Sequence, residues 1–250
     1  MRDWVQPSAL ALRFLSRVSL PGEDMARFEQ DLPRALVFFP LAGAVLGGLT
    51  ALVLVVAAQV FPLFLAVVVA LAFDVWLTRG LHEDAVADLC DGLGGGHTPQ
   101  DALRIMKDSR IGAFGALALG FGVALRGAGL VALVDAEQAA LALVVAGTAG
   151  RLLMLAVMWR VPALPGLGAR VAKAMDGRRF GLALLFSAPV LLLGAWFAPG
   201  GVALAMAVCA AFFIWYRALL MQRLGGSTGD AMGAAAYAGL VGTTLALSAW

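Results

Sequence analysis

The sequence predicts an all-α, polytopic membrane protein of about seven transmembrane helices, with an active-site loop and helix region on the cytoplasmic side. Three observations predict it. Of the 250 residues, 62% are hydrophobic and 14% charged, where a soluble domain carries about 25% charged residues. Several apolar runs approach the roughly 20 residues that a helix needs to cross hydrocarbon. The basic residues gather in alternate connections rather than in all of them.

The apolar segments fall at about 37–59, 63–78, 111–134, 139–158, 180–198, 202–219 and 231–249. In lipid every backbone N–H and C=O must be satisfied within the segment, so helix is the expected state, and no alternating barrel pattern competes with it. The segment 63–78 is the shortest and contains Asp74; a re-entrant path there would move the C-terminus to the other side. The stretch 5–20 (VQPSALALRFLSRVSL) is too short and too basic to span, and reads as an interfacial amphipathic helix. No repeat or low-complexity tract divides the chain, so residues 1–250 form a single integral membrane domain.

Topology follows from the loops. The connections near Phe61–Pro62, Asp135–Gln138 and Pro199–Gly201 are short and contain no Lys or Arg, whereas 1–36, 79–110, 160–179 and 220–230 contain nearly all of them. Positive charge is retained inside, which gives a multi-pass protein of the cytoplasmic (inner) membrane with its N-terminus inside and its C-terminus outside. Arg13 and Arg17 interrupt the early apolar stretch, so no uncharged signal-peptide core is expected and insertion would use internal helices. A net charge of +2 gives no reason to expect a nucleic-acid partner. Cys90 and Cys209 form no CxxC pair, which excludes a disulfide framework and a thiolate metal site.

Chemistry concentrates at 81–96. The chain has 16 acidic residues, and Glu83, Asp84, Asp88 and Asp91 crowd into this one stretch. On a helix Asp84, Asp88 and Asp91 share a face, where like charges repel by a few tenths of a kcal/mol per pair. A bound cation would remove that penalty, and oxygen-only ligands suit Mg²⁺, which takes one or two carboxylates plus substrate phosphates. A solvated acidic face is the plain alternative. Glu83 points about 100° away from Asp84, either behind the ligands or into solvent. His82 is expected to orient a carboxylate or contact substrate; a zinc motif is excluded because Val86 stands where HExxH needs its second histidine.

Gly94, Gly95 and Gly96 end the acidic helix and would let backbone approach a ligand closely. Thr98 as N-cap, Pro99 at the first helical position and Asp101 three residues after the cap start the next helix. A Gly-rich turn entering a helix is an anion site by geometry, with an ordinary turn as the alternative. Beyond it, Arg104 and Asp108 are expected to pair at i,i+4, which leaves Lys107 and Arg110 to face phosphates. Divalent metal with cationic clamps is equipment for phosphoryl transfer. A second polar island, Arg223 to Asp230, repeats the Gly-rich turn, with Asp230 placed to cap the following helix and expected to join the site, a structural cap alone being the alternative.

These residues carry a resemblance. LHEDAVADLCDGLGGG at 81–96, followed by ALRIMKDSRIGAFGALAL, resembles the signature of the cobalamin synthase family of adenosylcobinamide-GDP ribazoletransferases. FLSRVSLP at 14–21, FFPLAGAVLGG at 38–48 and LGGSTGDAMGA at 224–234 agree with it, so the resemblance runs nearly end to end. It implies a cytoplasmic-membrane, Mg²⁺-dependent enzyme of vitamin B12 assembly. The substrates implied are adenosylcobinamide-GDP and α-ribazole or its 5′-phosphate, with release of GMP. His82, Asp84, Ala87, Asp88, Asp91 and Gly92 match the family's LHLDGLADxxDG; Lys107, Asp108, Ser109 and Arg110 match MKDSR; Thr228, Gly229 and Asp230 match TGD. The chain departs from the pattern at Glu83 and Ala85, at Tyr237 and Leu240 where glutamates are common, and around Val161–Pro165.

Residues and resemblance together assign Asp84, Asp88 and Asp91 to one or two Mg²⁺ ions, Lys107 and Arg110 to the phosphates, and Asp88 or Asp91 to the attacking hydroxyl's proton. Homo-oligomerisation is left open. Two rivals are a CDP-alcohol-phosphotransferase-like enzyme, copied at Asp88-Leu89-Cys90-Asp91-Gly92 but not at Gly95-Gly96, and a transporter using Asp74, Arg126 and Arg151. A reporter fused at Pro165 is expected to be cytoplasmic and one at Ala136 periplasmic; both reporting from one side would overturn the seven-span order.

Overall fold

The computed structural model describes residues 2–19, 28–133 and 135–250. Leu20 and Pro21, the end of the 14–21 piece, and position 134 lie outside the described residues. The elements are α1 (Arg2–Leu15), α2 (Phe28–Ala35), α3 (Phe39–Ala58), α4 (Leu63–Thr78), α5 (Leu81–Gly95) and α6 (Pro99–Ile105). They continue with α7 (Ala113–Ala132), α8 (Ala136–Arg160), α9 (Leu167–Ala172), α10 (Gly177–Phe197), α11 (Pro199–Arg223) and α12 (Gly229–Ser248). A 3₁₀ turn, Leu36–Phe38, joins α2 to α3.

Among the described residues six stretches are long and apolar enough to cross a membrane alone: Asp31–Ala58, α7, α8, α10, α11 and α12. Hydroxyls inside them donate to carbonyls one turn back, as Thr50 does to Leu46, Ser187 to Ala183 and Thr244 to Leu240, which satisfies these polar hydrogens within the span. The remaining expected span is α4, whose 16 residues reach only about 24 Å, short of the ~30 Å hydrocarbon core. It turns by 85° into α5, and the two together make the seventh crossing if counted as one broken span.

That bend rests on two consecutive left-handed residues, Arg79 (φ 62°) and Gly80 (φ 63°). Gly80 adopts this freely, while Arg79 carries roughly 1 kcal/mol or more of backbone strain. Arg79 is held there by its guanidinium, which donates to the carbonyls of Arg13 (3.2 Å) and Ser16 (2.8 Å). The α1 segment is correspondingly docked rather than free in the interface. Its helix ends at Leu15, Ala11 and Leu15 are fully buried, and the Phe14 ring packs on Phe39 with centroids 5.3 Å apart.

The centre of the bundle is α8, buried along most of its length, with α3 on one side and α12 on the other. Glycines let these backbones touch, which is how helices associate where lipid offers no hydrophobic driving force. A Cβ at Gly43 would collide with the carbonyl of Gly147, and one at Gly239 would lie 2.6 Å from the Gly150 Cα. Against this slab α5 packs on α12 and α7, and α6 packs on α5. The connections that contain the basic residues thereby meet at one end of the bundle. Gly147→Val is expected to lower thermal stability in detergent by about 1–3 kcal/mol, since no side chain there can move aside. Gly48→Ala, which meets nothing within 4 Å, should be near neutral.

Candidate active site

At that end a cavity of about 650 Å³ opens between α1, α5, α6, α8, α9 and α12. His82 and Asp84 reach it from the first turn of α5, Lys107 from the end of α6, and Thr228, Gly229 and Asp230 from the start of α12. The C-terminal island therefore does fold over the acidic helix. Two short chains are stitched to place it: Leu164 N donates to Ser227 O (2.9 Å) and Ser227 N donates to Pro162 O (2.8 Å). Arg223 adds a tie that sequence reasoning missed, donating to the carbonyls of Leu93 (2.7 Å) and Gly96 (3.0 Å) and so joining the end of α11 to the end of α5.

The acidic group is not the expected triad. Asp91 turns away: its carboxylate accepts from Gly112 N (2.6 Å) and Gly115 N (2.8 Å), capping the start of α7. Four amides at a helix start have no intrahelical partner, and a buried carboxylate satisfies two of them here. Gly112 and Gly115 leave the room, since a Cβ at either would strike the carboxylate. Asp230 adds a charge from α12: Asp88 lies in the fields of Asp84, of Asp230 and, more weakly, of Asp91. Among the described residues no three His, Cys, Asp or Glu side chains stand close enough to share one ion.

Three further expectations are corrected. Thr228 caps α12, accepting from Ala231 N (3.1 Å), so Asp230 stands in the first turn and is not the cap. Arg110 is not free for phosphate: it holds Asp108 through two hydrogen bonds of 3.0 and 2.6 Å. That guanidinium, hydrogen-bonded to Asp108, keeps its carboxyl at about 2, well below the usual carboxylate range. Arg104 faces Asp101 at 3.9 Å instead of Asp108, because α6 ends at Ile105 and no helical i,i+4 register survives to position 108. Asp108, Ser109 and Arg110 lie outside the cavity lining. Gly94, Gly95 and Gly96 also stay outside it; they serve packing, since a Cβ at Gly96 would lie 2.6 Å from Ala102 and one at Gly94 would enter the Phe114 ring. The Thr98 cap on α6 is present, accepting from Asp101 N (3.1 Å).

The other wall is apolar and includes Phe14, Met154, Met158, Leu164 and Val171. Met154 and Met158 are one turn apart on α8 and could not be singled out in the sequence, because a buried span is apolar on every face. Met is also the side chain that adapts to an irregular ligand surface. The cavity thus sets an oxygen-rich acidic rim and one lysine against a deformable apolar wall. Asp84, Asp88 and Asp230 have no Lys or Arg among the described residues at ion-pair distance. Hard oxygen donors without a counter-charge fit a divalent cation such as Mg²⁺, which completes its shell with water and substrate phosphate oxygens.

Fold and cavity together define a class: a polytopic α-helical membrane protein with a large cavity at one end of the bundle. Within that class the assignment is specific. Residues 7–248 match the family described as Cobalamin-5-phosphate synthase. The adenosylcobinamide-GDP ribazoletransferase of Leptothrix cholodnii is 41% identical over 239 residues, covering 90% of this chain and 88% of the relative. That of Mesorhizobium japonicum is 37% identical (93% and 89% covered), and that of Rhizobium etli is 34% identical (99% and 98% covered). The chain belongs to the cobalamin-5-phosphate synthase family. No solved structure matches it.

The two kinds of aspartate should separate by stability. Asp91→Asn removes an acceptor from buried amides and is expected to cost about 1–3 kcal/mol in thermal unfolding. Asp88→Asn and Asp230→Asn relieve like-charge crowding, and should leave the melting temperature unchanged or raised. Equal destabilisation by all three would show that Asp91 has no special structural role.

Proposed function

We propose that this chain transfers the cobinamide-phosphate group of adenosylcobinamide-GDP to a ribose hydroxyl of α-ribazole or its 5′-phosphate, forming adenosylcobalamin or its 5′-phosphate and releasing GMP. The reading is carried by the convergence of Asp84, Asp230 and Lys107 around one cavity with an apolar wall, with Asp88 in the fields of both aspartates, in a chain of this family. Such a substrate has two parts to hold, a pyrophosphate and a large, largely apolar corrin, and the cavity has a rim for one and a wall for the other. The geometry matches a loop site at the cytoplasmic face of the inner membrane with the N-terminus inside, since α3, α7, α10 and α12 would then all leave from that face.

Asp84, with Asp88 or Asp230, would hold Mg²⁺ through one or two carboxylates rather than a three-ligand cage, and the ion when bound would supply positive charge to the transferring and leaving phosphates. The chain's own contributions are separate. Lys107 lines the cavity and balances phosphate charge. The attacking ribose oxygen forms its bond to the cobinamide-side phosphorus while the bond from that phosphorus to the GMP oxygen breaks. The hydroxyl proton passes to a carboxylate. With Asp91 engaged by two amides, Asp88 is the acceptor of the pair first considered. His82, at the cavity wall, and Thr228, which fixes the start of α12, keep these groups in register. The apolar wall keeps water from competing with the ribose hydroxyl as the nucleophile.

Membranes containing the protein, incubated with adenosylcobinamide-GDP, α-ribazole and Mg²⁺, are expected to yield the cobalamin mass and GMP. EDTA should abolish both, and added Mg²⁺ restore them. Asp84→Asn, Asp88→Asn and Lys107→Met should each lower turnover by about a hundredfold or more, the scale lost with one transition-state contact. Absence of product from the wild type would overturn the proposal.

A further inference from the structure

Beneath the cavity, where α4 bends into α5, lies a buried charged group that the reaction above does not use. It comprises Asp74 of α4, Glu83 of α5, Arg126 of α7 and Arg151 of α8. Arg126 and Arg151 are each 3% exposed, Asp74 6% and Glu83 8%. One pair is closed: Arg126 donates to Asp74 Oδ2 at 2.7 Å, and Thr50 donates to Oδ1 at 3.1 Å. The other two charges make no ion pair among the described residues. Arg151 reaches only the carbonyl of Gly147, at 3.5 Å, and its stem lies against Gly43. Arg151 Nε and Glu83 Oε2 have no hydrogen-bond partner among the described residues. Glu83 lies in the fields of both arginines and of Asp74, with Tyr237 and His82 completing the neighbourhood.

Charge decides how these groups are related. Asp74, hydrogen-bonded to Arg126, is also the strongest attractive charge on Arg151, so one carboxylate faces two guanidinium groups and the set is one negative charge short without Glu83. An uncompensated buried charge costs several kcal/mol. Glu83 is the remaining acidic side chain of the group, and it precedes Asp84 directly. It stands in the first turn of α5, immediately after the strained Arg79-Gly80 bend, where Gly80 offers no side-chain cap to the helix.

We propose that Glu83 is a positioning residue: its carboxylate supplies the second negative charge that Arg126 and Arg151 require, and the resulting neutral group of four holds the first turn of α5, with His82 and Asp84, at the cavity wall. The bend is thereby held by charge pairing from below as well as by the Arg79 clamp from α1. For its effect on turnover the proposal rests on the cavity being the reaction site; for its effect on stability it does not.

The experiment is a double-mutant cycle on the full-length, detergent-purified protein with Glu83→Leu, Arg151→Met and the two combined, read by thermal midpoint and by kcat per folded molecule. Each single change leaves one buried charge unbalanced, and the pair removes both. Each single variant is expected to lower the midpoint and cut kcat about tenfold or more, with KM within about twofold, since misplaced groups slow chemistry more than binding. The double variant should recover both readings to near wild type. Glu83→Gln with Arg151→Met repeats the cycle with the shape of the acidic side chain kept. Losses that simply add, or single variants with full kcat per folded molecule, overturn the proposal. If the wild type transfers no cobinamide phosphate, the functional reading falls, while the thermal cycle still decides for or against the charge balance.

Discussion

Hydrocarbon supplies no hydrogen bonds, and most of this structure follows from that one constraint. Each segment that crosses must satisfy its own backbone, so each is a helix, and irregular chain is confined to the ends. Polar side chains are confined with it. The connections around α5 and α6, around α9 and ahead of α12 all gather at one end, and a reaction site made of loops could form only there. The connections at the other end are short and contain no Lys or Arg.

Within lipid, helices find each other by shape. The contact of Gly43 with Gly147, and of Gly150 with Gly239, brings α3, α8 and α12 close enough to make a stiff slab. One end of that slab supplies the Met154 and Met158 wall from α8 and the Thr228–Asp230 start from α12. The site is therefore built on packed helices rather than on a loose loop, and this keeps like-charged carboxylates facing one another when each would separate in water.

The sharp turn between α4 and α5 is the costly feature. It needs a left-handed arginine, a clamp from α1 to hold that arginine, and a buried set of four charges below. In return it places α5 across the ends of α7 and α12, so that one short helix presents two aspartates toward the cavity side and a third, Asp91, to the amides of α7. Three acidic residues at helical spacing thus serve two different physical purposes.

The sequence by itself determined the helical class, the positions of the spans within a few residues, the gathering of basic loops, and the two polar islands that meet in the cavity. Each is set by local composition against a known solvent: run length against bilayer thickness, charge against the cost of burial. The Thr98 cap was legible for the same reason, being a local hydrogen bond. Only the tertiary structure decided that Asp91 caps α7, that Asp230 replaces it beside Asp84 and Asp88, and that Arg110 is occupied by Asp108. It alone decided that Gly94 and Gly96 make room for Phe114 and Ala102 rather than for a ligand, and that Arg223 joins the two islands. Helical spacing says which residues share a face, but not what that face meets. In spans that are apolar all round no periodicity marks an inner side, so that choice falls to whichever helix packs there.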